Sequence, residues 1–333
     1  MNENSPDNSM PYQLFIDVAY ACNLRCKMCD LFSDDSTASF AMRNDGVPQL
    51  MDFEVFKQIV DKSHDIITTY NTQLRGEPFI HPRFCDMLAY IREKAPDAKI
   101  CFNTNGMLLT PELIDRCLEI GVDNFFFSID AADPEVYDII RIRSDLARVE
   151  KNIKYLLDAR ENPSLKHRPE VNVSFVLQED NEHEKHQFLQ HWLGRADSIC
   201  FYTKMEFDGS RLDRFFEPAG PRKPCESLYH SIAVLSDGAV VPCCGDSTPH
   251  EVLGYIQDAS LREIAAGGRY QEMRRLHEAG QAGEISLCKD CDTWIAYETK
   301  QLEQKIRPEG ALFRRPCTIT QSPVSETWTL KGK

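Results

Sequence analysis

The chain has 333 residues and is 42% hydrophobic, so it is long enough to bury a full-sized core, which excludes a disordered or collagen-like protein. No apolar run approaches the roughly 20 residues of a membrane-spanning helix, and no signal peptide is recognisable, so we expect a cytoplasmic protein without a membrane partner. Lysine and arginine total 38 against 52 aspartates and glutamates, and the resulting net charge of −14 opposes binding to nucleic acid.

Six β-rich runs alternate with amphipathic segments in the first part of the chain, which predicts parallel strands joined by crossover helices. The predicted strands are centred on Leu14–Ile16, Thr72–Leu74, Ile100–Phe102, Phe125–Phe127, Val171–Val173 and Ile199–Phe201. Six units fit an incomplete barrel better than a closed barrel of eight. The sequence therefore predicts an α/β fold, a partial (β/α)6 TIM-like barrel with its chemistry at the C-terminal ends of the strands.

The helices of these units carry local signals. The first is predicted to keep apolar residues on one face as far as Ile67. The third should begin with Thr110 as its N-cap and Pro111 as its first helical residue, and Gly121 should end it in a left-handed conformation.

The composition changes near residue 209, where a proline-rich linker precedes a β-hairpin around Ser236-Asp237-Gly238 and two predicted helices. We therefore predict a barrel domain at 1–208 and a small C-terminal β-hairpin and helix module at 209–304. Residues 305–333 contain three prolines and show no sustained periodicity, so we expect a loosely ordered tail there.

Cysteine is the most informative residue type, because 13 cysteines are many for a protein kept reduced in the cytoplasm. Metal or redox chemistry is the leading explanation. Four of them stand in apolar stretches and are interpreted as packing residues: Cys85, Cys101, Cys117 and Cys200.

Three cysteines, Cys22, Cys26 and Cys29, form a C-x3-C-x2-C loop directly after the first predicted strand. Three thiolates can hold three irons of a 4Fe-4S cluster and leave the fourth iron open to a small molecule. Structural metal sites usually close that position. The loop therefore predicts a cluster that binds a ligand.

This loop and several later motifs resemble the radical S-adenosylmethionine (SAM) superfamily, in which SAM chelates the open iron. Gly76-Glu77-Pro78 is similar to the family's motif on strand two, and Asn103–Gly106 is similar to its strand-three signature. Ser128-Ile129-Asp130 and Arg141 resemble the family's later SAM contacts. The resemblance implies that SAM is bound by Glu77, Asn105, Ser128, Asp130 and Arg141.

The resemblance also implies a reaction. An electron from the reduced cluster cleaves SAM, and the resulting 5′-deoxyadenosyl radical removes hydrogen from an unactivated carbon, which the protein must position and shield from water. The expected partners are a small-molecule substrate and an electron donor such as flavodoxin or ferredoxin.

A second set of cysteines follows as C-x17-C-x44-C-x2-C, formed by Cys225, Cys243, Cys288 and Cys291. Spacing alone leaves open a structural zinc site and an auxiliary 4Fe-4S cluster with full cysteine ligation. The segment resembles the SPASM module in its shortened Twitch form, which implies the iron–sulfur cluster. The chain would then hold two 4Fe-4S clusters, one that binds SAM and one auxiliary.

The layout is similar to the radical SAM dehydrogenases and epimerases of aminoglycoside biosynthesis. This likeness implies abstraction of hydrogen from a carbinol carbon of a small sugar or cyclitol and oxidation to a ketone. Epimerisation is an alternative, with Cys244 as the hydrogen donor, although a cysteine beside a ligand can also be incidental. Maturation of a ribosomal peptide and a non-enzymatic, zinc-stabilised binding protein are further alternatives.

Charged residues also lie near the predicted strand ends, and they could contact a substrate. They are interpreted instead as solvated or paired surface groups. These residues are Arg75, Arg143, Lys204 and Glu206.

Overall fold

The structure is a computed structural model and describes residues 10–33, 49–204, 217, 220–297, 299–306, 315–322 and 325–330. The chain forms two compact units. The first unit comprises 1–21, 47–102 and 221–294, and the second comprises 22–46, 103–220 and 295–333. The predicted domain boundary at 208/209 lies outside the described residues and stays a prediction.

The described part of the chain contains alternating strands and helices. Its strands are β1 Gln13–Ile16, β2 Ala19–Tyr20, β3 Gln49–Leu50, β4 Thr69–Asn71, β5 Lys99–Thr104, β6 Asn124–Ser128, β7 Glu170–Leu177, β8 Ser198–Thr203, β9 Ser231–Val234, β10 Ala239–Val241, β11 Gly254–Tyr255, β12 Lys300–Ile306, β13 Arg315–Ser322 and β14 Ser325–Leu330. Its α-helices are α1 Phe53–Asp61, α2 Phe84–Lys94, α3 Pro111–Ile120, α4 Pro134–Ile140, α5 Leu146–Ala159, α6 Lys185–Trp192, α7 Ser227–His230, α8 Leu261–Ala265 and α9 Gly268–Glu278. Short 3-10 helices lie at Pro78–Ile80, Glu182–Glu184, Ala282–Glu284 and Thr293–Tyr297.

In the first unit, the strand order is β11-β10-β9-β1-β4-β5. Strands β9, β1, β4 and β5 pair in parallel, and β10 and β11 add to them antiparallel. The hairpin predicted around Asp237 is β9–β10. Its position beside β1 joins the C-terminal module to the first strand of the chain within one sheet.

In the second unit, β6, β7 and β8 pair in parallel. Strand β14 then pairs antiparallel with β8, and β13 and β12 follow. The predicted α/β fold with mainly parallel strands is confirmed. No helix in the described ranges is both long and apolar enough to cross a membrane.

Local capping explains where the helices begin and end. The Asp52 carboxylate accepts a hydrogen bond from the Glu54 N–H at 2.8 Å and starts α1. Thr110 caps α3, Pro111 is its first residue, and Gly121 ends it with φ 82°, all as predicted. Ile67, which was expected on α1, is buried beyond that helix, because α1 ends at Asp61.

Aromatic clusters pack the helices onto the sheets within each unit. In the second unit, Phe175 of β7 lies 4.8 Å from Phe188 of α6 and 5.6 Å from Phe201 of β8, measured between ring centroids. In the first unit, Phe84 of α2 lies 5.5 Å from Phe102 of β5 in an edge-on arrangement. In each unit the core thus lies between the sheet and its helices. The side chains at the strand ends are not needed for this packing and are available to form a site.

Two predictions about strands were wrong. The second strand is Thr69–Asn71 rather than Thr72–Leu74, because after Thr72 the chain turns away from β5 and Arg75 bonds to Asp17. The segment expected to be a loosely ordered tail contains β13, β14 and the end of β12. Its order comes from backbone pairing with β8, where Thr327 lies opposite Cys200.

Candidate active site

The three cysteines of the C-x3-C-x2-C loop lie in the second unit. The Cys29 N–H donates to the Cys26 carbonyl at 3.0 Å, and the Ser33 N–H donates to the Cys29 carbonyl at 3.1 Å, so the loop closes into consecutive turns. The Leu24 N–H points at the Cys22 sulfur at 3.4 Å. Burial raises the pKa of the Cys29 thiol, and a bound metal would offset that cost by stabilising the thiolate.

The backbone after α4 holds this loop on both sides of Cys26. The Arg25 N–H donates to the Ile142 carbonyl at 3.0 Å, and the Lys27 N–H donates to the Ile140 carbonyl at 2.9 Å. Cys26 itself is buried. Two backbone hydrogen bonds on alternate residues fix the direction of the loop, so the position of its middle cysteine depends on residues 140–142.

Arg141, between these two carbonyls, directs its side chain at the same cysteine. One guanidinium nitrogen lies 3.4 Å from the Cys26 sulfur, and another forms an ion pair with the buried Asp130. Burial would lower the pKa of Arg141, but the negative charges of Asp130 and Cys26 raise it above its ordinary value. The side chain therefore stays charged and offers a cation to the thiolate.

Asp130 is held in place by several elements of the second unit. Its Oδ1 accepts the Val176 N–H at 2.7 Å, and its carbonyl accepts the Asn181 amide at 2.8 Å. Its φ of 71° lies in the left-handed region, which non-glycine residues rarely adopt. Burial raises the pKa of Asp130, and Arg141 opposes that rise. The structure brings Asp130 and Arg141 together beside Cys26, and their SAM contacts stay predictions.

Asn105 lies beside the start of the cysteine loop. Its side-chain amide donates to the Asn23 side chain at 2.9 Å and lies 4.0 Å from the Cys22 sulfur, while its carbonyl oxygen accepts the Met107 N–H at 2.9 Å. The predicted strand-three signature thus adjoins the loop. Ser128 is half-buried at the end of β6, opposite Ser174, and its contact with SAM stays a prediction.

Glu77 lies in the first unit, at the start of a 3-10 helix. Its side chain is 1% exposed and accepts the Phe79 N–H at 3.3 Å, and its own N–H donates to the Ala21 carbonyl at 2.8 Å. A Cβ added at Gly76 would lie 2.2 Å from that carbonyl, and the φ of Gly76 is +66°. Glycine is required here because the backbones touch, which fixes Glu77 against the residue that precedes Cys22.

Arg75 is the clearest correction among the charged residues, because it is 6% exposed rather than on the surface. Its backbone and side chain donate to the two carboxylate oxygens of Asp17 at 3.2 and 2.9 Å, and its guanidinium stacks 3.9 Å from the Tyr20 ring. Arg143 is exposed, as expected, Lys204 is half-buried, and Glu206 lies outside the described residues.

The second set of cysteines lies in the first unit. Burial raises the pKa of Cys243 well above that of a free thiol, and the neighbouring thiolates of Cys244, Cys225 and Cys291 raise it further. Burial, then Cys291 and Cys225, raise the pKa of Cys288 to about 12. Cys225 and Cys291 are therefore each within electrostatic reach of both Cys243 and Cys288.

Cys244 belongs to the same group. Burial and then the charge of Cys225 raise its pKa to about 11. The structure thus places the predicted hydrogen donor among the cysteines of the second set. Its role as a donor is untested and stays a prediction.

Two residues that the sequence did not single out support this second set. The Cys225 N–H donates to His277 Nδ1 at 3.2 Å, and burial lowers the pKa of His277 to about 4. Arg222 donates to the Cys288 carbonyl at 2.7 Å. The only available signal was the position of His277 on the buried face of α9 with Tyr270 and Met273, which is also typical of packing.

A model of the radical SAM superfamily matches residues 16–189, more than half of the chain. The chain belongs to the radical SAM superfamily. The match spans the cysteine loop, the Gly76-Glu77-Pro78 motif and Arg141, which are the residues that carry the geometry described above.

The second cysteine set of this radical SAM protein is matched by SPASM, an iron–sulfur cluster-binding domain, over residues 225–292. SAM and a 4Fe-4S cluster are therefore its cofactors, with auxiliary iron–sulfur ligation in the C-terminal part. The donor sets fit these groups, because both consist of buried or half-buried free thiols, the soft ligands that iron–sulfur clusters use. No three histidine, cysteine, aspartate or glutamate side chains in the described ranges are grouped so as to hold a single metal ion.

Known proteins resemble this radical SAM protein in sequence and in fold. The tungsten-containing aldehyde ferredoxin oxidoreductase cofactor-modifying protein of Pyrococcus furiosus is 31% identical over 172 residues, 50% of this chain and 44% of the relative. The chain thus spans less than half the length of that relative.

Two solved structures share the fold. BtrN in complex with AdoMet and 2-DOIA is 17% identical with a TM-score of 0.55, and the match covers 86% of this chain and 94% of BtrN. Streptococcus suis SuiB bound to precursor peptide SuiA is 14% identical with a TM-score of 0.63, covering 85% and 71%. These likenesses support the partial TIM-like barrel that the sequence predicts.

Proposed function

We propose that this radical SAM enzyme dehydrogenates a hydroxyl-bearing carbon of a small polar substrate, a sugar or cyclitol, to a ketone. Bound SAM, cleaved by one electron, supplies the 5′-deoxyadenosyl radical that takes a hydrogen atom from that carbon. The substrate then loses the hydroxyl proton and one further electron to become the ketone. The reaction therefore needs an electron acceptor as well as a hydrogen acceptor.

The second cysteine set is the observation that carries this proposal. Cleavage of SAM requires only the cluster held by Cys22, Cys26 and Cys29, so a further set of thiols needs a separate purpose. The cysteines around Cys243 would hold a group able to accept one electron, which a dehydrogenation requires and a redox-neutral rearrangement does not.

A buried amide of the second unit offers a hydrogen-bond donor for a polar substrate. Gln178 follows β7, and among the described residues its side-chain nitrogen has no hydrogen-bond partner. Because an unmet buried donor costs free energy, a substrate hydroxyl group is a suitable partner for this nitrogen. Gln178 stands at the C-terminal end of a parallel strand, where ligands bind in this fold.

A peptide substrate is the second candidate. It is favoured by the shared fold with SuiB, whose solved structure contains a precursor peptide. A peptide offers hydroxyl- or thiol-bearing carbons in serine and cysteine side chains, so the same loss of two hydrogens would apply. Epimerisation would instead return a hydrogen to the carbon. Cys244 keeps its proton at neutral pH because its pKa is about 11, as such a donor requires.

The test is turnover of the anaerobically reconstituted enzyme with SAM and dithionite. Cyclitols and amino sugars are compared as substrates with serine- and cysteine-containing peptides. Carbonyl products are trapped with a hydrazine and identified by mass spectrometry. A substrate deuterated at the carbinol carbon should place its deuterium in 5′-deoxyadenosine. In deuterated water, a dehydrogenase yields an unlabelled carbonyl, whereas an epimerase returns a product with carbon-bound deuterium.

Matched cysteine variants separate the two thiol sets. Cys22→Ala should abolish 5′-deoxyadenosine formation. Cys288→Ala should retain cleavage of SAM but lose the carbonyl product. A carbonyl product formed at the wild-type rate by Cys288→Ala would contradict the proposed electron acceptor. Turnover of a peptide without turnover of any cyclitol would make the peptide, rather than the cyclitol, the substrate.

A further inference from the structure

The buried pair of Arg141 and Asp130 is linked to the cysteine loop of the second unit through the sulfur of Cys26 and through the backbone beside Arg141. Arg141 lies between the two carbonyls that hold the loop, those of Ile140 and Ile142, and its guanidinium lies 3.4 Å from the Cys26 sulfur. A guanidinium has five N–H donors, so a contact with the cofactor would leave donors for the thiolate.

The position of this guanidinium is fixed by a rigid support. Asp130, fully buried, forms the ion pair with Arg141 and is itself held by the Val176 N–H at 2.7 Å and by the Asn181 amide at 2.8 Å. Asp130 also has a left-handed backbone, with φ 71°, a conformation that persists only where the surrounding structure holds it. The guanidinium of Arg141 is therefore held with its positive charge beside the sulfur of Cys26.

We propose that Arg141 is a positioning residue that sets the reduction potential of the SAM-binding cluster through its hydrogen bond to the Cys26 thiolate, and that Asp130 moderates this effect. Reduction adds a negative charge to the cluster and its thiolates. A buried N–H donor with a positive charge stabilises that added charge and raises the potential, whereas a buried carboxylate lowers it. The two residues should therefore act with opposite signs.

Potentiometric titration of the reconstituted holoenzyme tests this inference. The signal to follow is the electron paramagnetic resonance spectrum that changes shape when SAM is added, because this property identifies the SAM-binding cluster. In Arg141→Gln, the ratio of reduced to oxidised cluster at a fixed potential should fall about tenfold, which corresponds to about 59 mV for a one-electron couple.

Three further variants make the outcome decisive. Asp130→Asn should raise the same ratio, and asparagine tolerates the left-handed backbone. Arg141→Lys, which keeps the charge, should lie between Arg141→Gln and the wild type. The matched control Arg143→Gln changes an exposed arginine two residues away and should leave the ratio of reduced to oxidised cluster within about twofold of the wild-type value.

The inference is overturned if Arg141→Gln holds its full iron and titrates within twofold of the wild type, or if Asp130→Asn lowers the ratio. If Arg141→Gln fails to hold iron, the direction of the Asp130→Asn shift decides. These potentials are measured without substrate, so failure of the proposed dehydrogenation would leave this inference standing, and the reverse also holds.

Discussion

Replacing Arg75 by methionine should destabilise the protein by about 3–5 kcal/mol, the usual cost of removing one partner from a buried ion pair. Asp17 is 0% exposed and receives three hydrogen bonds from Arg75, one from its backbone and two from its guanidinium. The same guanidinium also donates to the Ser247 carbonyl at 3.2 Å. Methionine fills similar space, so the loss is mainly that of the charge.

The cost should depend on pH in a defined direction. Burial already raises the pKa of Asp17, while Arg75 lowers it. Without the arginine, the folded-state pKa rises further above the unfolded value. A group with a raised folded pKa stabilises the fold at low pH and loses that contribution as the pH rises through the folded pKa. The variant should therefore be least stable at neutral pH and recover part of its deficit on acidification.

Anaerobic urea unfolding followed by far-ultraviolet circular dichroism measures this cost. The double variant Asp17→Asn with Arg75→Met should be more stable than the sum of the single losses, because no unpaired charge stays buried. Arg262→Met is the control, since its ion pair with Asp65 is about half exposed and should cost less than about 1 kcal/mol. A cost for Arg75→Met as small as this control, or strict additivity in the double variant, would refute the reasoning.

Three further outcomes are expected. Gly76→Ala should reduce the melting temperature and soluble yield, because its Cβ would lie 2.2 Å from the Ala21 carbonyl, and a wild-type melting curve would contradict this. The pKa of His277 is about 4 in the folded protein against 6.5 for a free histidine, so on acidification the unfolded chain takes up this proton before the folded chain does. The contribution of His277 to stability is therefore present above pH 6.5 and is lost as the pH falls. The wild type should lose about 1 kcal/mol more than His277→Gln between pH 7 and 5.5 in urea titrations, and parallel pH profiles would exclude the effect. Iron analysis should give about eight irons per wild-type chain and about four in either Cys22→Ala or Cys288→Ala, and zinc in place of iron in the second set would contradict the auxiliary cluster.

Features encoded by neighbouring residues were predictable from the sequence. Thr110, Pro111 and Gly121 bound α3 as expected, because capping depends on residues within one turn. The cysteine loop was recognisable for the same reason. Its three thiols lie within eight consecutive residues, and the spacing alone indicates a shared metal group.

Features that depend on distant partners were not predictable in this way. Arg75 was assigned to the surface because its partner Asp17 lies 58 residues earlier in the chain. The strands after residue 300 were missed because β14 gains its order from β8, more than 100 residues away in sequence. The role of His277 was hidden by its helical spacing, which fits core packing equally well. Tertiary pairing decides such positions, and a single sequence does not display it.

The antiparallel strands after residue 300 also affect how the folded protein meets other copies of itself. Without them, β8 would offer a bare backbone edge on which a foreign strand could grow into an aggregate. In the described residues of the second unit, the outermost strand is instead β12, which begins with the exposed Lys300 and Gln301. Charged and polar side chains on an edge strand discourage pairing with another strand, so the added strands lower the tendency of this edge to aggregate.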